Sequence, residues 1–220
     1  MSKFTTDCTK CSRLAAFLNE VKQEQPDYFC KPVPSFGDPK ARLLIVGLAP
    51  GMHGANATGR PFTGDHAGIL LYKTLHDCGF ATQPEGVTAD DGLELINCRI
   101  TNAVRCLPPQ NKPVGDEINN CNAYLAGEIA LLAPRSVIFA LGGIAHRAVV
   151  RALQQRQADY KFGHAAEFKM PGDLILLDSY HCSRYNTNTR RLTAEMFNDV
   201  FRRARSLVDN AENNSVSEVA

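Results

Sequence analysis

The chain has 220 residues, of which 44% are hydrophobic and 21% charged, and its formal net charge is +1. This composition predicts a globular domain with a sizeable core, and the near-neutral charge excludes a protein that coats nucleic acid through bulk basic charge. No apolar run reaches the roughly 20 residues of a membrane span, and residues 1–10 lack the apolar segment of a secretory signal. We therefore expect a cytosolic protein without membrane contact.

The N-terminal part of the chain predicts a helix, a loop and a buried strand. Apolar residues recur at helical spacing within 6–22, and four prolines in 25–39 predict an extended loop. The run 41–48, which is apolar except for Arg42, is typical of a strand buried on both faces of a parallel sheet. The glycine-rich stretch 49–64 predicts a long loop, and a helix is expected over 68–79.

The remaining chain continues this alternation of strands and helices. In chain order we predict a strand at 95–104, a helix at 116–132, a strand at 136–143, a helix at 145–155, a strand at 174–179 and a helix at 192–208. The alternation predicts an α/β fold, with a parallel sheet covered by helices on both faces. Residues 1–208 are expected to form one domain and 209–220 a disordered polar tail. Ligands of such sheets bind outside the carboxyl ends of the strands.

Eight cysteines are more than packing usually requires in a reducing compartment. Cys8 and Cys11 form a CxxC pair, whereas Cys106 and Cys121 are separated by fourteen residues. Four thiolates from two distant segments suit Zn²⁺ or an iron–sulfur cluster, and the spacing does not decide between them. The alternative is that all eight are reduced, unpaired thiols. The remaining cysteines are expected to be ordinary core or loop residues: Cys30, Cys78, Cys98 and Cys182.

Two long motifs resemble those of a known family. Residues 47–65, GLAPGMHGANATGRPFTGD, resemble the first active-site motif of family 5 (type b) uracil-DNA glycosylases. Residues 180–193, YHCSRYNTNTRRLT, resemble their second motif, and segments 102–113 and 141–146 also fit. The likeness extends from Cys8 to about Phe201, which is nearly the whole chain.

Three positions depart from the patterns of this family and its relatives. Cys182 stands where the family usually has proline, and Arg190 where it often has glycine. Leu48 occupies the place where the related family 4 enzymes carry a glutamate, so the group that activates water must be sought elsewhere.

The resemblance implies a three-layer αβα sandwich with a central four-stranded parallel sheet. It also implies a 4Fe-4S cluster on Cys8, Cys11, Cys106 and Cys121, which favours iron–sulfur over zinc.

The implied activity is that of a monofunctional DNA-repair glycosylase in a bacterial or archaeal cytosol. Such an enzyme flips uracil out of DNA and hydrolyses its N-glycosidic bond, leaving an abasic site. Family 5 members often also accept hypoxanthine and xanthine. We expect a monomer whose partner is DNA containing deaminated bases, without a nucleotide cofactor.

Four residues are candidates for catalysis of this hydrolysis. Asp65 is expected to orient water or to stabilise the sugar cation, although an aspartate here would also suit a helix N-cap. His181 first, and His53 second, are expected to donate a hydrogen bond to the departing base. Asn102 can both donate and accept hydrogen bonds, so it is expected to pair with the edge of uracil, with satisfaction of local backbone groups as the alternative role. Asn111 is a weaker candidate for the same region.

The base-binding set adds residues from the first motif. Phe62 is expected to stack on the flipped base, with a core anchor as the alternative role. The full predicted set is Gly47, Ala49, Gly51, Phe62, Asn102 and His181. The residues expected to contact DNA are Ser183, Arg184, Tyr185, Arg191 and Lys112. A helix-borne arginine run at 202–205 is expected to be a solvated surface.

Four alternative functions compete with this interpretation. A family 4 enzyme would be narrower for uracil, but Leu48 argues against it. A second alternative is an inactive relative that binds nucleic acid and keeps the cluster. The presence of Phe62, Asn102 and His181 argues against it, because such a protein would not need them. A nucleotide-binding protein would place Gly-Lys-Ser or Gly-Lys-Thr after its glycine-rich loop, which this chain lacks. A zinc-only structural module is the fourth.

Overall fold

The structure is a computed structural model that describes residues 4–217. Its helices are α1 (Ser12–Glu24), α2 (Ala55–Thr58), α3 (His66–Asp77), α4 (Gly115–Ile129), α5 (Gly143–Ala152), α6 (Arg184–Asn188) and α7 (Ala194–Ser217), with short 3₁₀ turns at Pro109–Asn111 and Gln157–Asp159. Its strands are β1 (Phe36–Gly37), β2 (Leu43–Gly47), β3 (Cys98–Asn102), β4 (Val137–Leu141), β5 (Glu167–Met170) and β6 (Leu174–Ser179).

Within the described residues the strands form one sheet in the order β1-β3-β2-β4-β6-β5. The four central strands are parallel, which confirms the predicted α/β fold and its four-stranded parallel core. Two short antiparallel strands, β1 and β5, were not predicted and extend the sheet to six strands. Strand β1 has only two residues, and β5 has a partly exposed pattern without a continuous apolar run. Neither carries the signal by which a buried strand is identified.

Alternate side chains of the central strands point to opposite faces, and each face is covered by its own helices. On one face Ile45 and Phe139 pack with Leu71 of α3 and Phe201 of α7. On the other face, residues such as Leu44 and Ile138 pack with α4 and α5, through Leu125, Ile129, Ala145 and Val149. This arrangement is the predicted three-layer sandwich, and it leaves the carboxyl ends of four parallel strands at one edge.

The last helix is longer than the sequence predicted. A disordered tail was expected over 209–220, but α7 continues to Ser217, and residues 218–220 lie outside the described part. Val208 and Ala211 are buried against the body of the protein, and Arg205 forms ion pairs with Asp209 and Glu212 on the same helix. The difference arises because ion pairs along the helix and burial of its apolar residues stabilise this polar segment as a helix. No helix among residues 4–217 is long and apolar enough to cross a membrane.

Candidate active site

A cavity of about 520 Å³ opens where the parallel strands end. Its lining includes nine of the predicted site residues: Ala49, Gly51, Phe62, Asp65, Asn102, His181, Ser183, Arg184 and Arg191. Segments far apart in sequence meet here because β2, β3, β4 and β6 lie side by side and their carboxyl ends share one edge.

Asn102 is the last residue of β3 and lines the cavity. It is only 4% exposed, and its Oδ1 is buried without a hydrogen-bond partner among the described residues. The alternative role, in which this amide satisfies local backbone, therefore leaves its oxygen unexplained. A buried polar atom without a partner is costly unless a ligand completes its hydrogen bonds. The amide is thus available to the polar edge of a bound base.

Gly47, at the end of β2, contributes to the site without lining the cavity. A Cβ built on Gly47 would collide with Asn102 Oδ1 and would lie 2.8 Å from Phe62 Cζ. The absence of a side chain at position 47 therefore allows the amide and the aromatic ring to approach each other. Its predicted role in base binding is indirect.

Phe62 is anchored in the core, the alternative role that the sequence offered for it, and it also faces the cavity. It is 7% exposed and belongs to the main hydrophobic core, yet it also lines the cavity. Its ring lies 6.0 Å from the ring of His181, centroid to centroid, in a stacked orientation. Its φ of 55° is in the left-handed region, which a bulky side chain rarely adopts. A strained aromatic residue in a cleft indicates a functional position.

His181 follows β6, and its loop is held from both sides. The backbone oxygen of His181 accepts a hydrogen bond from Asn186 Nδ2 at 2.8 Å, and Cys182 is fully buried in the core. Cys182 thus anchors the loop at the position where proline is usual. His181 Nδ1 is buried and has no partner within the described part of the chain. Burial lowers the pKa of His181 to about 4, so the imidazole is neutral at physiological pH.

Asp65 performs the capping role and also faces the cavity. Its Oδ1 accepts a hydrogen bond from Gly68 N at 2.9 Å and so caps α3. The other oxygen, Oδ2, lies above Gly51 and Gly54, where a Cβ on Gly54 would be 2.5 Å away. Burial raises the pKa of Asp65 against the opposing effect of its backbone hydrogen bonds. The carboxylate is therefore partly desolvated beside the cavity.

The structure does not bring His53 together with His181. The loop turns into α2 at this point, which leaves the His53 side chain exposed, with its Nδ1 2.8 Å from the hydroxyl of Tyr28. Of the two histidines predicted to donate to the departing base, His181 lines the cavity and His53 does not. Lys112 and Tyr185 also lie outside the lining, and the Tyr185 side chain is 71% exposed near the cavity mouth.

Basic side chains border the cavity. Arg184 and Arg191 are exposed, and the guanidinium of Arg191 lies 4.7 Å from the ring centroid of Tyr180. The Tyr180 ring in turn stacks on His164 at 5.0 Å. Ser183 accepts a hydrogen bond from Asn186 N and caps α6, which begins at Arg184. These side chains form a polar, positively charged margin suited to phosphate groups.

Several lining residues were missed by sequence reasoning. Gly142 and Gly143 follow β4, and the rule that ligands bind at strand ends could have identified them. Asn111, the weaker candidate for base pairing, was not missed, and it also lines the cavity, with a φ of 56°. Phe162 lies in the loop before β5, outside every motif, so the sequence carried no signal for it.

The four cysteines of the predicted cluster site line a second, smaller cavity. α1, which follows Cys11, packs its Leu14 and Leu18 against Cys106 and Cys121. Burial raises the pKa of Cys106, and the nearby thiols of Cys121, Cys8 and Cys11 raise it further. Across residues 4–217 the cysteines are free thiols, and no three His, Cys, Asp or Glu side chains are arranged to hold a single metal ion.

Four cysteine thiolates are a donor set that both an iron–sulfur cluster and a zinc ion use. In a 4Fe-4S cluster each cysteine binds a different iron, so the sulfurs surround a cavity. In a zinc site all four sulfurs lie about 2.3 Å from one ion. Four cysteines that line one cavity are compatible with the first arrangement.

The fold and the site define a class of protein that sequence comparison identifies. A sequence model of the uracil DNA glycosylase superfamily matches residues 34–205, which include the whole sheet and the cavity-lining strand ends. The chain belongs to the uracil DNA glycosylase superfamily.

Individual relatives place it more narrowly, with the type-5 members. The chain is 45% identical over 207 residues to a type-5 uracil-DNA glycosylase of Thermus thermophilus. The aligned region covers 92% of this chain and 94% of that protein. It is 41% identical to a type-5 uracil-DNA glycosylase of Pyrobaculum aerophilum, with coverage of 90% and 88%. A type-4 uracil-DNA glycosylase of Sulfurisphaera tokodaii is 30% identical, with coverage of 76% and 72%. The predicted family is thus confirmed.

Proposed function

We propose that this chain is a monofunctional glycosylase that flips uracil out of DNA and hydrolyses its N-glycosidic bond, leaving an abasic site. One observation carries the proposal: Asn102 Oδ1 and His181 Nδ1 are both buried and lack partners within residues 4–217, and both residues line one cavity. A uracil ring offers both hydrogen-bond donors and acceptors, so it can complete such a site.

Base recognition is assigned to Asn102 and Phe62. The amide pairs with the polar edge of uracil, while the Phe62 ring packs against its flat face. A base that remains stacked in the duplex cannot reach Asn102, which is only 4% exposed, so extrusion from the stack is required.

Departure of the base is assigned to His181. The C–N bond breaks with its electron pair moving to uracil, whose oxygens become negatively charged. A neutral imidazole with one N–H can donate a hydrogen bond to that developing charge without transferring its proton. A preorganised donor of this kind contributes about 3–4 kcal/mol to transition-state stabilisation in other enzymes.

Asp65 is assigned to the sugar. As the base leaves, C1′ of the deoxyribose becomes cationic, and a partly desolvated carboxylate stabilises that charge strongly. The same carboxylate can orient the water that adds to C1′ and take up the proton that this water loses, and the released uracil anion gains a proton from solvent. Its capping bond to Gly68 N fixes the carboxylate during the reaction.

We propose a 4Fe-4S cluster on Cys8, Cys11, Cys106 and Cys121, supported by the cavity that these thiols line. When bound, the cluster supplies a structural crosslink, because its cysteines lie apart from the acid, base and base-reading groups of the main cavity. The crosslink would join the start of α1 to the loop after β3 and to α4.

The proposal also includes the substrate range, the DNA contacts, the cellular location and the oligomeric state. Leu48 lines the cavity with an apolar side chain, and such a pocket is compatible with hypoxanthine and xanthine as further substrates. Phosphate contacts are assigned to Ser183, Arg184 and Arg191 at the margin and to the exposed side chains of Lys112 and Tyr185. We also propose that the protein acts as a cytosolic monomer.

The test is single-turnover base release from duplexes that carry one uracil, hypoxanthine or xanthine. Asp65→Asn should retain the cap and the stability of the fold, whereas Asp65→Ala should also lose about 1 kcal/mol of stability. Both variants should release uracil far more slowly than the wild type, as should His181→Ala. Release of uracil alone would limit the substrate range to uracil. No release of any base by a folded wild-type protein would contradict the proposed glycosylase function.

A further inference from the structure

Phe62 keeps its left-handed backbone because the residues on both sides of it are tied down. The carbonyl oxygen of Pro61 accepts a hydrogen bond from the Tyr72 hydroxyl at 2.6 Å, and Thr63 Oγ1 accepts one from Arg60 Nε at 2.7 Å. The carbonyl of Phe62 also packs against the first turn of α3, where a Cβ on Gly68 would collide with it. A strained conformation persists only where its surroundings determine it in this way.

Arg60 itself is fixed by Asp91. The guanidinium is buried, and its two terminal nitrogens donate to the two oxygens of Asp91 at 2.8 and 2.7 Å. This bidentate geometry is available to arginine and not to lysine. The Arg60 guanidinium also lies 5.0 Å from the ring centroid of Phe36.

Asp91 is in turn bound to its own loop. Its carboxylate accepts hydrogen bonds from the backbone N–H groups of Val87 at 2.8 Å, Thr88 at 3.2 Å and Leu93 at 3.0 Å. The hydrogen bonds from Arg60 hold the pKa of Asp91 well below its usual range. The 87–93 loop, Asp91, Arg60 and Thr63 thus form one connected network that ends beside Phe62.

We propose that Arg60 and Asp91 are positioning residues for base excision, which hold the Phe62 ring in the cavity through Thr63. The proposal rests on the function proposed above. Both residues lie behind the cavity lining, so their effect on the reaction passes through Phe62. If the network is broken, Phe62 can relax to a negative φ and withdraw its ring from the base.

The test compares Arg60→Lys and Asp91→Asn with a matched control, Arg99→Lys. Arg99 is also partly buried and pairs with a carboxylate, that of Glu128 at 3.0 Å, but lies away from the cavity. The expected result is a maximal single-turnover rate lower by about 10- to 100-fold in the first two variants. The enzyme concentration at half-saturation should be unchanged, and Arg99→Lys should keep the wild-type rate. If Arg60→Lys fails to fold, Asp91→Asn carries the test.

A double-mutant cycle separates positioning from general loosening. In a Phe62→Ala background, Arg60→Lys should lower the rate no further, because the residue through which it acts is absent. Additive losses would overturn the proposal, as would equal losses in Arg60→Lys and Arg99→Lys. A crystal structure of Arg60→Lys gives a readout independent of activity, in which a retained positive φ at Phe62 would also overturn it. If the wild-type protein releases no base, the proposed function fails, and the crystal structure still decides the network's effect on Phe62.

Discussion

Asn102 and Gly47 end neighbouring strands, and the amide of Asn102 occupies the space where a side chain on Gly47 would begin. Gly47→Ala should therefore push Asn102 and Phe62 out of place. Because both contacts are with the ends of side chains, we expect a modest cost of about 1–3 kcal/mol in the free energy of unfolding. Base release should fall on the order of 100-fold, since small displacements in an active site are costly. Single-turnover assays and urea denaturation measure the two effects.

The matched control for this substitution is Gly127→Ala. Gly127 lies in α4, where a built Cβ meets open space. Alanine is the better helix former, so the control should gain up to about 1 kcal/mol of stability and keep full activity. Equal activity of the two variants would show that the contact between position 47 and Asn102 has no functional role.

The second prediction concerns the acid limb of the reaction. Burial lowers the pKa of His181 to about 4, so the imidazole should stay neutral and active as a donor from pH 8 to pH 5. Burial also raises the pKa of Asp65, and both groups should contribute to the loss of rate in acid. The pH at which the maximal single-turnover rate is halved should therefore lie well below 6.5, the usual pKa of histidine. A midpoint near 6.5 would contradict this expected profile.

His53→Ala serves as the control for this profile. The side chain is exposed and bonded to Tyr28, away from the cavity lining. We expect neither the rate nor its pH dependence to change. A large loss of rate would restore His53 to the catalytic set that the sequence proposed.

The third prediction follows from a buried pair behind the site. His146 Nδ1 lies 2.9 Å from Asp178 Oδ1, and His146 Nε2 lies 2.9 Å from the carbonyl oxygen of Tyr160. Both ring nitrogens face oxygens, so the protonated ring makes one more hydrogen bond than the neutral ring. Burial alone would lower the pKa of His146, but the hydrogen bond and charge of Asp178 raise it above its usual value.

A raised histidine pKa stabilises the fold below the unfolded pKa, and this contribution is lost as pH rises through the folded pKa. The free energy of unfolding should thus decrease above about pH 6.5. His146→Gln should flatten that decrease and cost about 3–5 kcal/mol at pH 6, since one partner of a buried pair is removed. Denaturation at several pH values measures this. His76→Gln, at a half-exposed surface pair, should behave as the wild type. Stability that rises between pH 6 and 9 would refute the assignment.

The fourth prediction tests the cluster site. Cys121→Ser should abolish iron binding, whereas Cys78→Ser, at a cysteine outside the small cavity, should retain it. Metal analysis of protein purified without oxygen measures the content. Zinc in place of iron would support the single-ion alternative, and a metal-free folded protein would support eight reduced thiols. Oxidation of an intact cluster should leave base release unchanged, because the proposed role is structural.

The sequence predicted the central architecture because its signals were local. Long apolar runs such as 41–48 identified the buried parallel strands, and the order of strands and helices identified the sandwich. Strand β5 was missed because it lies at an edge and is partly exposed, so its pairing with β6 decides its conformation. The end of α7 was missed because burial of Ala211 against the core is not visible in a polar segment.

The motifs determined the family and the main members of the site, since residue types at strand ends carry the chemistry. Only the tertiary structure decided which of these side chains lie close together. His53 and Phe62 lie in one loop, yet the loop's turn into α2 directs His53 towards Tyr28 while the ring of Phe62 enters the cavity. Phe162 enters the same cavity from a segment without any motif. Motifs specify side-chain chemistry, but the distances between side chains and their removal from water depend on contacts between segments far apart in the chain.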